Sequence, residues 1–135
     1  MPYVTQQQLV DRFGEEELIQ LTDRANVGAI DVAVLNQAIA DAGAEIDGYL
    51  AGRYRLPLTT VPVILALYSG DITRYRLHDD GATDEVRRRY EDAMKFLRLA
   101  ADGKVMLGAD EPAPAGGAQM ESGGRTFGRD QGGFL

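Results

Sequence analysis

The sequence predicts an all-α fold, a small bundle of about three long and one or two short helices followed by a flexible Gly-rich arm. Apolar residues recur at spacings of three and four along three long segments, which is the period of a helix that is buried on one side. A Thr or Asp stands before several of these segments, where it can cap a helix. At Gly108 the composition changes to Gly and Pro. We therefore predict a helical domain over residues 1–107 and a flexible tail over residues 108–135.

Two short helices are expected first. Thr5 is followed three residues later by Gln8, the spacing of a capping box. Gly14 then interrupts the pattern, and the acidic run 15–17 is placed favourably for the first turn of a second helix. Residues 22–30, which include Gly28, are predicted to form a loop.

The first long helix is expected to begin after Asp31, a good N-cap. Its apolar stripe extends for about 20 residues. Gly43 and Gly48 each cost about 1 kcal/mol in a helix interior, and close packing against a neighbouring helix would offset that cost. The stripe consists of Leu35, Ile39, Ala42, Ile46 and Tyr49/Leu50.

The other two long helices follow the same pattern. The second begins near Pro62, and Val63 and Leu67 widen its stripe, so we expect it to be the most buried helix. Thr83 caps the third, and Gly103 suits the left-handed position after its end. We expect residues 105–107 to cover an edge of the core.

Residues 52–62 join the first two long helices and form an elbow. Pro57 and Pro62 restrict the residues before them to extended conformations. On one interpretation the elbow is structural, with Tyr54 and Leu56 packing on the helices. On the other it also presents a contact site to a partner. The candidate contact residues are Arg53, Tyr54 and Arg55.

Composition excludes several classes of function. The 135 residues carry a net charge of −7, which argues against a general nucleic-acid binder with a basic face. There is no Cys, hence no disulfide, thiolate metal site or Cys nucleophile. The first residues do not form a signal peptide, and no apolar run approaches membrane-spanning length.

The sequence offers no catalytic, cofactor-binding or metal-binding set. The single His, His78, has no nucleophile motif to accompany it and is better explained as a group near a helix C-terminus. The acidic run after it has its Gly at the third position, where a calcium loop requires the sixth. Gly43 and Gly48 have the spacing of a P-loop, but Tyr49 stands where Lys is required. The basic run 87–89 is balanced by acidic neighbours.

The tail ends in a pattern that a purely solvating segment does not need. Two aromatic residues and two arginines follow the Gly-rich stretch, and such residues commonly anchor interfaces. We interpret this pattern as a terminal docking motif on a tether. Its residues are Arg125, Phe127, Arg129 and Phe134.

The segment 46–58 (IDGYLAGRYRLPL), followed by Val61-Pro62, resembles the Mu-like phage head–tail joining, or head-completion, family. Tyr3-Val4-Thr5 near the start is similar too, as are parts of 72–77. At the other end, Arg125-x-Phe127-x-Arg129 with Gly133-Phe134 resembles that family's terminal motif. The Gly-rich insert 108–124 departs from the family pattern.

The resemblance implies an all-α structural protein without enzyme activity. It implies a cyclic homo-oligomer, of about twelve subunits, at the head–tail junction of the virion, with the host cytoplasm as its location during assembly. Its partners would be copies of itself, the portal protein and a tail-side joining protein. DNA would pass through the lumen without sequence-specific binding, and no membrane would be involved.

Two other classes of function stay open at this point. The chain could be a small helical module that binds or regulates a protein partner. It could also be a metal- or cofactor-dependent helical enzyme. Light scattering on the purified chain would separate a ring from a monomeric module, and elemental analysis would test for bound metal.

Overall fold

The computed structural model describes residues 2–107, and these form an all-α fold without a β-strand. In chain order the elements are α1 (Gln6–Phe13), α2 (Glu15–Thr22), α3 (Val32–Leu50), α4 (Val63–His78), a short 3₁₀ turn (Asp79–Gly81) and α5 (Asp84–Ala101). The tail over residues 108–135 lies outside the described residues.

The predicted helix ends are confirmed by their local hydrogen bonds. Thr5 and Gln8 form the reciprocal capping box at the start of α1. The Asp31 carboxylate accepts from two backbone N–H groups of α3, and the Thr83 hydroxyl accepts from one of α5. Gly103, after α5, has a φ of 77°, in the left-handed region that suits Gly.

Helices α3, α4 and α5 make up the bundle, and consecutive helices run antiparallel. The rings of Tyr68 and Phe96 lie 4.9 Å apart, and those of Tyr75 and Tyr90 stack at 4.0 Å. As residue numbers rise along α4, those of their partners fall along α5, so the end of α5 lies level with the start of α4.

The buried apolar residues divide into two clusters. The bundle core lies between α3, α4, α5 and the elbow, and its members are Tyr3, Ala42, Ile46, Leu50, Tyr54, Leu58, Leu65, Ile72, Ala93, Met94, Leu97, Ala100 and Leu107. The N-terminal core lies where α1 and α2 pack against the first half of α3 and against α4. Its members are Val4, Leu9, Leu18, Leu35, Ala38, Ile39 and Leu77.

Among the described helices α4 has the largest share of buried residues, as expected, but the expected roles of Val63, Leu67 and Gly48 in packing are wrong. Val63 is 86% exposed and Leu67 is 40% exposed, because α1 lies beside this part of α4 and leaves a groove there instead of covering it. A Cβ on Gly48 would meet nothing within 4 Å, so this glycine serves no close helix contact. The close approach occurs at Gly70 of α4, where a Cβ would lie 2.7 Å from Nη1 of Arg12.

Candidate interaction surfaces

In the elbow between α3 and α4, the three neighbouring candidate contact residues have different environments. Tyr54 is 3% exposed and belongs to the bundle core, so it is not a surface residue of the described chain. Leu56 packs half-buried against the same core, as expected. Of the three candidate contact residues, Arg55 alone is exposed.

Arg53 is held against the loop that follows α5. A Cβ on Gly103 would lie 2.3 Å from Nη2 of Arg53, so the guanidinium fills the space that a larger residue would need. Its Nε is buried and has no hydrogen-bond partner among the described residues. The position places a positive charge at the C-terminal end of α5, where it is favourable for the helix dipole. Arg53 therefore connects the elbow to the end of the bundle.

A groove between α1 and α4, which we call the α1/α4 groove, is the largest departure from the expected burial. It has a volume of about 160 Å³. Val63 and Leu67 lie exposed along its α4 side. Exposed apolar surface of this kind commonly marks a contact site. The lining residues are Val4, Gln8, Leu9, Arg12, Val63, Ala66 and Leu67.

An ion pair anchors α1 to α4 at one end of this groove. Nη2 of Arg12 lies 2.5 Å from the Asp71 carboxylate, and its Nη1 donates to the backbone oxygen of Leu67 at 2.9 Å. Burial raises the pKa of Asp71, and the nearby Arg12 guanidinium opposes that rise. The Asp71 side chain is only 6% exposed, so this pair is screened far less than a surface pair.

A second polar contact anchors α2. Arg74 donates to both carboxylate oxygens of Glu17, at 2.7 and 3.1 Å. The Phe13 ring lies beneath two guanidinium groups, 4.7 Å from that of Arg12 and 4.5 Å from that of Arg74. These cations are paired by carboxylates and stacked on an aromatic ring, so the arrangement is structural. Sequence patterns do not indicate this arrangement, because the paired residues lie 57 to 59 positions apart.

The outer face of α3 offers a surface of a different kind. Ala40, Ala44 and Gly48 recur every four residues and are exposed, whereas Ala42 and Ile46 point into the bundle core. We call these three residues the α3 outer face. The small residues on α3 thus divide into an inner set, which packs in the protein, and an outer set, which leaves room for another backbone.

Few features of residues 2–107 suggest chemistry. This part of the chain contains no cluster of three or more His, Cys, Asp or Glu side chains that could hold a metal ion. His78 is in the last turn of α4, as expected, and its Nε2 is buried without a partner among the described residues. None of the described helices combines the length and the apolar character needed to cross a bilayer.

The terminal docking motif, with Arg125, Phe127, Arg129 and Phe134, lies outside the described residues, and its role stays a prediction. The surface features that we consider candidates for function are therefore the α1/α4 groove, Arg55 and the α3 outer face. Together with the fold, they define a small helical bundle whose distinctive surfaces suit contacts with other proteins.

Comparison with known proteins identifies the family. Residues 3–122 match the family described as Bacteriophage Mu, Gp36. The chain is 39% identical over 132 residues to the Mu-like prophage FluMu protein gp36 of Haemophilus influenzae (strain ATCC 51907 / DSM 11121 / KW20 / Rd), covering 95% of this chain and 94% of that protein. It is 36% identical over 141 residues to Gene product J of Escherichia phage Mu, covering all of both chains. The chain belongs to the Mu Gp36 family, which confirms the resemblance to Mu-like phage proteins.

Proposed function

We propose that this protein is a structural component of the head–tail junction of a Mu-like phage or prophage. In this proposal it assembles as a closed ring between the portal and the tail and catalyses no reaction. The family supports a phage protein, and the surfaces support a protein that works through contacts with its own copies and with neighbours.

The observation that carries the proposal is the presence of two unlike contact surfaces on one chain. Val63 and Leu67 project from α4, and the α3 outer face offers small residues on another side of the bundle. A contact between unlike surfaces is heterologous, and repeated heterologous contacts form a ring when the rotation closes. We propose that Val63 and Leu67 of one subunit pack on the α3 outer face of the next.

The acidic character of the chain fits the proposed lumen. A net charge of −7 repels another polyanion, so DNA could pass through a ring of such subunits without sticking to its wall. A portal protein on one side and a tail-side joining protein on the other complete the proposed set of partners.

The test is the mass of the full-length protein by light scattering, over a range of concentrations and with the portal protein added. We expect a defined large assembly in at least one of these conditions. The substitution Ala44→Arg, which fills the α3 outer face with a long charged side chain, should abolish the assembly. Ala25→Arg, at an exposed loop position, is the matched control and should leave it intact.

A strict monomer under every condition, with or without portal, would contradict the ring and favour a monomeric binding module. A ring that survives Ala44→Arg would leave the junction role standing but place the subunit contact elsewhere.

A further inference from the structure

The α1/α4 groove is an apolar surface that the described residues leave uncovered. Val63 is 86% exposed at one edge, and Val4 and Leu9 lie beneath as members of the N-terminal core. Contact between apolar side chains and water is unfavourable, and covering them is favourable without any special geometry. The groove would therefore accept an apolar segment that is present at sufficient concentration.

The chain leaves the helical domain close to this groove. The antiparallel ring pairs Tyr68–Phe96 and Tyr75–Tyr90 place the end of α5 level with the start of α4, where Val63 lies. Leu107, the last described residue, is buried in the bundle core together with Leu65 of α4. The residues that follow Leu107 thus begin at the same end of the bundle as the groove.

The sequence after Leu107 contains a segment of matching chemistry at a suitable distance. Phe127 and Phe134 are aromatic residues in an otherwise small and polar stretch. About twenty residues separate Leu107 from Phe127, and a Gly-rich coil of that length spans about 25 Å. Helix α4 is 16 residues long, or about 24 Å, so the segment can reach any point along it.

Exposed carboxylates near the groove suit the same occupant, since Arg12, the charged residue that lines the groove, is already paired with Asp71. Asp11 is exposed on α1, one turn beyond Gln8 of the groove, and its hydrogen-bond partner is the neutral side chain of Gln7. Glu15 and Glu16, just after α1, are exposed as well. The segment supplies two arginines to meet these carboxylates, Arg125 and Arg129.

We propose that residues 125–134 occupy the α1/α4 groove of their own chain in the free subunit. Phe127 and Phe134 pack against Val63 and Leu67, and the two arginines face the acidic side chains of α1 and α2. A contact within one chain benefits from the high local concentration that a short tether provides, so it forms even when the individual interactions are weak. The segment thereby covers an apolar surface until a stronger partner displaces it. This inference does not depend on ring formation.

The test uses disulfide formation in the full-length protein, which has no Cys of its own. One variant combines Val63→Cys with Gly133→Cys, so that a thiol in the groove can meet a thiol beside Phe134. The matched control combines Ala51→Cys with Gly133→Cys. Ala51 is exposed at the same end of the bundle but outside the groove. Val63 and Ala51 are both exposed, and circular dichroism checks that each variant is folded.

At high dilution we expect the Val63→Cys pair to form its disulfide within one chain at least tenfold faster than the Ala51→Cys pair. Adding Phe127→Ser and Phe134→Ser should slow the reaction to the control rate. Equal rates for the two pairs, a disulfide formed mainly between chains, or a rate unaffected by loss of the two aromatic residues would each overturn the proposal.

Discussion

The bundle core and the N-terminal core are both apolar, but they differ in the length of the helices that build them. The bundle core is almost entirely apolar and lies between three helices of 16 to 19 residues. The N-terminal core joins two helices of 8 residues each to the bundle, and ion pairs of Arg12 and Arg74 secure its edge. Helices this short are marginal without tertiary contacts. The pair of short helices therefore depends on its contacts with the bundle, both the apolar ones of the N-terminal core and the two ion pairs.

The largest effect should come from the bundle core at the elbow. Tyr54→Ala removes a buried ring and should lower the free energy of unfolding by about 3 kcal/mol or more, as for other core aromatics. The hydroxyl of Tyr54 has no hydrogen-bond partner among the described residues, so Tyr54→Phe should be nearly neutral. Urea unfolding measures both. An unchanged midpoint for Tyr54→Ala would show that the ring does not support the core and would return it to the candidate contact residues.

A smaller effect is expected where α1 is anchored. Asp71→Asn removes the carboxylate that pairs with Arg12 and should cost about 1 to 3 kcal/mol. Because Arg12 keeps its bond to the Leu67 carbonyl, the loss should be confined mainly to α1 and its surroundings. Relative to the wild type, the variant should show faster hydrogen exchange in α1 and little change in α5.

The control for Asp71→Asn is Asp84→Asn, whose pair with Arg87 is exposed. That change should alter stability by less than about 0.5 kcal/mol. If both variants behaved alike, the contrast between a buried anchor and a surface pair would be wrong.

Local rules predicted the helix ends and the apolar stripes, since Thr5, Asp31, Thr83 and Gly103 act on residues close to them in sequence. These rules were wrong where the burial of a residue depends on how helices distant in sequence pack together. Apolar periodicity placed Val63 and Leu67 in the core. It cannot show that α1 contacts α4 near Gly70 and leaves these two side chains in the first turns of α4 exposed.

The polar anchors were missed for a related reason. Arg12, Glu17, Asp71 and Arg74 are ordinary surface residue types, and nothing in the sequence shows that folding brings them together. The elbow was predicted in part. Its sequence identified Tyr54 as important but did not decide whether the ring lies in the core or on the surface. The structure shows that the ring is buried.

Alkaline pH tests two tyrosine hydrogen bonds at the edge of the bundle core. Tyr3, before α1, donates to Asp47 of α3, and Tyr90 of α5 donates to Glu45 of α3 at 2.9 Å. Burial and the carboxylate partner raise the pKa of Tyr90 to about 12, and the same causes raise the pKa of Tyr3. A raised pKa in the folded state means that the unfolded chain loses the proton first. The stabilisation is therefore complete below pH 10 and is lost as the pH rises from 10 towards 12.

Tyr90→Phe should reduce the slope of unfolding free energy against pH above pH 10, and Tyr3→Phe should do the same. Tyr49→Phe, at a half-buried position on α3, serves as the control. Thermal unfolding between pH 9 and 11.5 measures the slopes. Identical slopes for the wild type and the Tyr90→Phe variant would show that the Tyr90–Glu45 bond does not favour the protonated phenol.

The smallest effect on stability should follow removal of all residues after Leu107. Both cores lie within residues 2–107, and Leu107 itself is buried, so the helical domain keeps its packing. We expect an unchanged helical signal by circular dichroism and a melting temperature within a few degrees of that of the full chain.

Assembly is where the truncation should differ from the full chain. The removed residues contain the proposed docking motif, and their loss should impair joining to portal or tail in a reconstitution assay. A variant that keeps the length of the tail but carries Phe127→Ser and Phe134→Ser separates the motif from the tether. If it joins as well as the full chain while the truncated protein does not, tail length matters and the aromatic residues do not. If both join normally, the tail has no part in the proposed junction, and the α1/α4 groove, Arg55 and the α3 outer face are the next surfaces to test.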